Sequence, residues 1–353
     1  MAAITLAIIG LQRMGTSFGL AVKRYMKTPN VEHQFTIIGS DESVDAVRAA
    51  HKSEAIDQEA RTPAAAVAKA DLVILATRYG LYDDLYQAIS SSLKAGVVIL
   101  DLSPLKQRAI ARADKYLPRD SDGHPLAYMV GATPIINPLL LNDPGDTTES
   151  ARADLFDKGT MILSPSVSAR GEAIQLAADF SELLGMSVHF TEPAEHDGMV
   201  ASIEGLPLLT ALAVFRTLRK NNTWDDLRRL GNPPFAISTL GLEQITAQDA
   251  LALFDGNRDR AAQALEALIN TLDEVRDVLM ADDPLLLGEA FEDAINQRAE
   301  WQHLRRQNTW DTRTAIKPTE DISIGGVMSG RFLGRFLRPG ADKGSDKNGG
   351  KKS

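Results

Sequence analysis

Seven short apolar runs alternate with amphipathic stretches over the first 190 residues, and no other feature restricts the fold as strongly. The runs cover residues 4–9, 35–39, 72–76, 97–101, 127–131, 161–164 and 187–190. Most are continuously apolar, as strands covered on both faces of a parallel sheet must be. Between them, residues 16–27, 43–50, 82–93 and 168–184 repeat apolar side chains at helical spacing. The alternation predicts an α/β fold, with a doubly wound parallel sheet in a first domain of residues 1–190.

Beyond residue 194 the strand signals stop. Residues 194–220 are mostly apolar, and residues 242–254, 257–280 and 285–307 carry further helical periodicity. Pro207 is expected to kink the first of these helices or to mark its first turn. A helix apolar on nearly every side needs neighbours on every side, so residues 191–316 are expected to form an all-helical substrate and dimerisation domain in a homodimer. Residues 317–353 are expected to form a basic, mostly disordered tail. Within it, Arg331, Arg335 and Arg338 lie opposite Phe332, Leu333, Phe336 and Leu337 on a helical projection, a pattern suited to docking on the acidic body or, more weakly, to a membrane surface.

The tail carries a net charge of +4 within a chain of −9, which leaves about −13 on the other 316 residues. So acidic a body argues against nucleic acid as a partner, because nothing displaces counterions from phosphates, and leaves a small molecule as the expected substrate. The absence of cysteine excludes disulfides, thiolate metal sites and a cysteine nucleophile, and no metal-binding pattern stands out. There is no run of about 18 apolar residues and no basic leader before the first strand, so a cytoplasmic protein without membrane spans is expected.

The chemistry concentrates where the first strand ends. Gly10-Leu-Gln-Arg-Met-Gly15 runs from that strand straight into a helix. In a dinucleotide site the first glycine permits the tight turn, the last lets helix and strand approach, and the helix N-terminus offers free N–H groups to a pyrophosphate. The middle glycine of that fingerprint is Gln12 here. The second strand ends at Asp41, 26 residues past Gly15, where a carboxylate accepts from ribose hydroxyls and favours NAD over NADP. These features place the domain in the Rossmann class. The expected cofactor contacts are Gly10, Gln12, Arg13, Met14, Gly15 and Asp41, joined by Thr77 and Arg78 in the turn after the strand at 72–76.

Five segments resemble the prephenate/arogenate dehydrogenases: IIGLQRMGTSFGLAVK, DLVILATRYGLYDDLYQAI, VVILDLSPLKQ, YMVGATPIINP and PAEHDGMVASIEGLPLLTALAVF. The resemblance implies NAD(P)-dependent oxidative decarboxylation in tyrosine biosynthesis, with substrate between the domains near Thr133 and His196. It also implies departures. Where the family carries its catalytic histidine in a G-G-H-P turn, this chain reads Gly131-Ala132-Thr133-Pro134. Pro104 replaces the serine of a conserved turn, with Ser103 beside it and Lys106 retained; the S-H-L-P-H segment becomes Glu204-Gly205-Leu206-Pro207-Leu208. The catalytic candidates are therefore Thr133, His196 and Lys106, with Asp197 expected to cap the helix that His196 opens. His124 lies before its strand, at the wrong end of the sheet for catalysis. The departures leave open a relative that has lost this catalysis and persists as a dinucleotide-binding or scaffold dimer, or a dehydrogenase of another substrate.

Overall fold

A computed structural model describes residues 2–29, 31–143, 145–281 and 283–308. The first domain comprises β1 (Ala2–Ile9), α1 (Arg13–Met26), β2 (His33–Ser40), α2 (Val44–Lys52), β3 (Gln58–Glu59), α3 (Pro63–Val67) and β4 (Leu72–Leu75). It continues with α4 (Tyr82–Ile89), β5 (Val97–Asp101), α5 (Lys106–Tyr116), β6 (Ala127–Ile135), β7 (Thr160–Pro165), α6 (Gly171–Leu183) and β8 (Ser187–Phe190). The strands form one sheet in the order β3-β2-β1-β4-β5-β6-β7-β8. The order reverses between β1 and β4, which opens a crevice at their carboxyl ends.

The central strands β4 and β5 are buried on both faces, which is why they read as unbroken apolar runs, whereas β2 alternates buried and exposed residues. Ile4, Leu6 and Ile8 of β1 pack with Phe18 of α1 and Phe180 of α6, while Ala7 and Ile9 face Val67 of α3 and Tyr82 and Tyr86 of α4. Phe18 stacks against Phe156 with ring centroids 4.3 Å apart. Each such buried aromatic contributes about 1.5–3 kcal/mol.

The expected all-parallel sheet needs one correction. β6 and β7 are antiparallel, with Thr133 opposite Ile162 and Ile135 opposite Thr160. Among the described residues only two short 3-10 turns, Pro138–Leu140 and Thr148–Ser150, lie between them, and without an α-helical crossover the chain returns alongside itself. Residues 136–159 fill that return and fold back over the start of α1. There Thr148 Oγ1 donates to the Leu11 carbonyl at 2.7 Å, and Arg152 N–H donates to Ser17 Oγ at 2.9 Å.

The second region is helical: α7 (Pro193–Val200), a π-helical turn (Ala201–Gly205), α8 (Leu206–Arg219), α9 (Trp224–Leu227), α10 (Pro233–Thr239), α11 (Ala247–Phe254), α12 (Arg258–Met280) and α13 (Pro284–Gln307). Pro207 stands in the first turn of α8, one of the two positions expected of it. The continuous unit Pro193–Arg219 is 27 residues long and, by length and composition, apolar enough to cross a bilayer. This departs from the expectation drawn from unbroken apolar runs, because hydropathy averages over the interspersed charges. Its first turns nevertheless bury His196 and Asp197 against the first domain. The basic amphipathic segment and the rest of the tail lie outside the described residues.

Gly10 has φ +95°, and a Cβ there would stand 2.4 Å from the Ala76 carbonyl oxygen; Gly96 has φ +85° with open space around it. Gly96→Ala is expected to cost about 1 kcal/mol, for the backbone conformation alone. Gly10→Ala adds a collision with main chain and is expected to cost at least about 2 kcal/mol more. Urea denaturation midpoints compare the two.

Candidate active site

The glycine turn is built by backbone contact. A Cβ at Gly15 would lie 1.8 Å from the Gly10 carbonyl oxygen, so only glycine lets α1 start this close to β1. Gln12 is extended (φ −69°, ψ −169°) at the start of α1, and its side chain makes no cap bond and lines a cavity. Met14 lines the same cavity. Arg13 turns elsewhere: its guanidinium donates to the Asp143 carbonyl at 2.7 Å and the Gly145 carbonyl at 2.6 Å, and pairs with the Asp143 carboxylate at 3.1 Å. The Arg13 side chain thus serves as a latch on the loop between β6 and β7. Asp41 braces the turn, its Oδ2 accepting from Leu11 N–H at 2.6 Å and its Oδ1 from Ser43 N–H at 2.8 Å.

The catalytic candidates converge across the domain boundary. Thr133 Oγ1, on β6, lies 2.8 Å from His196 Nε2, on α7. His196 is 2% exposed, and burial, with the nearby Lys106 charge, holds its pKa below the usual range against the pull of Asp197, so the ring is neutral near pH 7. Its Nδ1 faces Asp197 Oδ1 at 3.5 Å. Asp197 does not cap α7, whose N-cap is Glu192. It caps α5 from outside, its carboxylate accepting from Lys106 N–H at 2.6 Å and Gln107 N–H at 3.2 Å. The spacing of Asp197 along its own helix gave no sign of this, because the cap is tertiary.

Lys106 is fully buried beneath this pair. Its Nζ donates to the carbonyls of Ser103 (2.6 Å), Ala132 (2.9 Å) and Asp101 (3.2 Å), so all three donors are committed. Lys106 is a positioning residue: it ties the end of β5 to the residue before Thr133. Burial lowers its pKa to about 8. Ser103 does not substitute for the missing serine, since its buried hydroxyl lies 3.4 Å from Arg112 Nη1.

A cavity of about 640 Å³ joins the two halves of the site, within the range of small-molecule pockets. Gln12, Met14, Ala76, Thr77 and Arg78 line it from the β1 and β4 turns; Thr133 and Pro134 line it from β6 and His196 from α7; Glu204, Pro207, Leu208 and α11 supply the rest of the helical side. Arg78 is largely exposed and pairs with Glu42 at 3.4 Å. Three lining groups escaped the sequence reading. Tyr79 has its hydroxyl pKa pushed up by burial and by the carboxylates of Glu204, Asp146 and Asp249. Surrounding protein atoms also raise the carboxyls of Asp146 and Glu204, although both residues keep exposed surface. Glu204 sits in the π-helical turn, a distortion frequent at functional sites. Its position in the altered S-H-L-P-H segment was the available signal; Asp146, on an irregular return, offered none.

His124 lies exposed on the loop before β6, 3.3 Å from the Asp120 carboxylate, away from the cavity. Asp120, Asp122 and His124 cluster there on the surface, but Asp120 Oδ1 already accepts two N–H groups of its own loop.

Comparison with known proteins agrees with this fold. Residues 22–190 match the profile of the prephenate dehydrogenase nucleotide-binding domain. A cyclohexadienyl dehydrogenase of Zymomonas mobilis is 27% identical over 209 residues, 58% of this chain and 64% of the relative, so the chain spans just under two thirds of that protein's length. Among solved structures, prephenate dehydrogenase from A. aeolicus, in complex with hydroxyphenyl propionate and NAD+, superposes with a TM-score of 0.69 at 19% identity, covering 84% of this chain and 98% of that one. Arogenate dehydrogenase from Synechocystis gives 0.62 at 16% identity, covering 84% and 100%. These likenesses show the shared fold.

Because the Lys106 pKa is lowered from 10.5 to about 8, the unfolded chain binds more protons than the folded one between those values. Stability is therefore expected to rise with pH across that window, by at most about 3 kcal/mol. Lys106→Met should remove this increment, and urea titrations of both proteins at pH 7.5 and 10 measure it.

Proposed function

We propose that this chain, which belongs to the prephenate/arogenate dehydrogenase family, is an NAD-dependent dehydrogenase that oxidatively decarboxylates a small cyclohexadienyl acid. One observation carries the reading: the 2.8 Å contact of Thr133 with a buried neutral histidine, in the cavity that the glycine turn also lines. It supplies from α7 the imidazole that the β6 turn lacks.

The residues present fit a dinucleotide. The turn at Gly10–Gly15 and the first turn of the 14-residue α1 form the anion-receiving end. The Asp146 carbonyl takes Arg13 N–H at only 3.4 Å, a weak bond that a phosphate oxygen would replace. Each Asp41 oxygen accepts one N–H and keeps a second lone pair for a ribose hydroxyl, and the carboxylate disfavours a 2′-phosphate. Bound NAD supplies the hydride acceptor.

The protein's part is to hold the substrate and manage one proton. With the imidazole proton on Nδ1, toward Asp197, Nε2 is free to accept. The substrate hydroxyl gives its proton to Thr133 Oγ1 as Thr133 gives its own to His196 Nε2. The substrate C–H bond then breaks as hydride, and the bond to the ring carboxylate breaks with release of carbon dioxide. That electron pair completes the aromatic ring, and the proton returns along the same path to the phenol oxygen. Lys106 and Asp197 keep the two partners in register.

A homodimer is part of the proposal. Leu265, Leu268, Leu272, Val275 and Leu279 of α12 follow a 3-4-3-4 spacing, and the last three are more than half exposed. Phe291 and Ile295 of α13 are each 63% exposed, and a second copy would cover this surface. Sedimentation is expected to show a dimer, and Leu272→Glu with Leu279→Glu a monomer.

Calorimetry with NAD is expected to show binding, and its absence for both NAD and NADP would reject the reading. Thr133→Val is expected to lower kcat at least about 100-fold while NAD binding persists. Protonation of His196 removes the acceptor, and its pKa lies below the usual 6.5. Wild-type kcat should therefore stay level down to about pH 6.5 and fall only below it.

A further inference from the structure

We infer that the chain segment directly after Asn308 docks into a cleft between the last turns of α13 and the loop that follows β6, with Trp310 against its apolar wall and Asp311 on its arginines. The inference is independent of the dehydrogenase reading, and the cleft shares no lining residue with the cavity that holds Thr133 and His196.

The cleft has a volume of about 270 Å³. Pro138, Leu139 and Leu141 supply one side, and Trp301, Arg298 and Arg306 of α13 the other. Leu139 is 75% exposed and Trp301 46%, so the apolar surface here lacks a cover. No carboxylate lines the cleft among the described residues, although the chain as a whole is acidic. Arg298 and Arg306 make no hydrogen bond or ion pair among the described residues. Arg305, between them in the chain and 3% exposed, donates from Nη2 to the Ile136 carbonyl, while its Nη1 has no hydrogen-bond partner among the described residues. A guanidinium enclosed without a carboxylate is costly. The occupant that suits this cleft combines an aromatic ring with a negative charge.

The chain itself supplies that pair where it leaves the helix. Asn308, which ends α13, is left-handed (φ 51°, ψ 34°), a conformation that turns the chain off the helix axis and often accompanies an apolar contact back onto the last turn. Its side chain fixes the point of departure. Nδ2 donates to the Gly159 carbonyl at 3.2 Å and to Ser187 Oγ at 3.0 Å, and Oδ1 accepts from Thr160 Oγ1 at 3.1 Å. Thr160 pairs in the sheet with Ile135, one residue before the carbonyl that holds Arg305. Thr309, Trp310 and Asp311 come next in the sequence. Two to three residues span about 7–10 Å. Arg306 and Trp301 stand about 3 and 10 Å back from Asn308 along the α13 axis, so ring and carboxylate both reach the cleft. The surface assigned to a second copy, at Phe291 and Ile295, lies farther toward the start of α13. The docked segment braces the loop whose following residues, Asp143 and Gly145, hold Arg13 at the glycine turn.

The chain has no cysteine, so introduced pairs report proximity without background. Thr312→Cys leaves Trp310 and Asp311 in place. In the oxidised full-length protein it should form an internal disulfide with Leu139→Cys at least about tenfold faster than with His303→Cys, which is exposed on the same turns of α13 outside the cleft. Trp310→Ala, and Arg298→Ala together with Arg306→Ala, should each slow the Leu139→Cys reaction at least about fivefold. Leu139, Arg298, His303 and Arg306 are all exposed, so these variants keep the fold. Equal rates for the two cysteine pairs, or rates unchanged by the other substitutions, overturn the inference. A disulfide-linked dimer in place of the internal bond assigns the cleft to a second copy and overturns it as well.

Discussion

The carboxylate of Asp197 holds this molecule's site together. It leaves α7 and caps α5, accepting the N–H groups of Lys106 and Gln107, while its neighbour His196 meets Thr133 on β6. Asn257, at the start of α12, donates to the Asp197 carbonyl at 2.8 Å and draws the long helices to the same point. A buried carboxylate at a helix N-terminus is stabilised by free N–H groups and by the helix dipole. The first turns of the helical region are thus fixed on the first domain. Lys106 completes the arrangement from below, since its ammonium gathers three carbonyls at the ends of β5 and β6.

The antiparallel return after β6 has a comparable effect on the other side. It brings residues 143–148 over the start of α1, where Arg13 and Thr148 fasten it. One wall of the cavity is thereby made of loop rather than helix, and Asp146 enters the lining. The result is a cavity lined by the carboxyl groups of Asp146, Glu204 and Asp249 and by the guanidinium of Arg78.

Much of the scaffold was legible in residue order. Each apolar run became a strand, most clearly at β4 and β5, where burial on both faces admits no polar residue, and the two-residue β3, too short to carry a pattern, escaped notice. The glycine turn was legible for a similar reason: Gly10 and Gly15 stand where any side chain would meet main chain. Thr133 and His196 were each singled out, but their contact spans 63 positions and no local spacing encodes it.

What the chain determined by itself is the set of elements and the place of the turn, because these follow from burial period and from local steric limits. Tertiary structure decided what each polar group does. Asp197 became a cap for a distant helix, Arg13 a latch, Lys106 a buried brace and Glu204 part of the cavity lining. The physical reason is that a hydrogen bond or a charge depends on which partner is within about 3–4 Å, and that partner comes from another element.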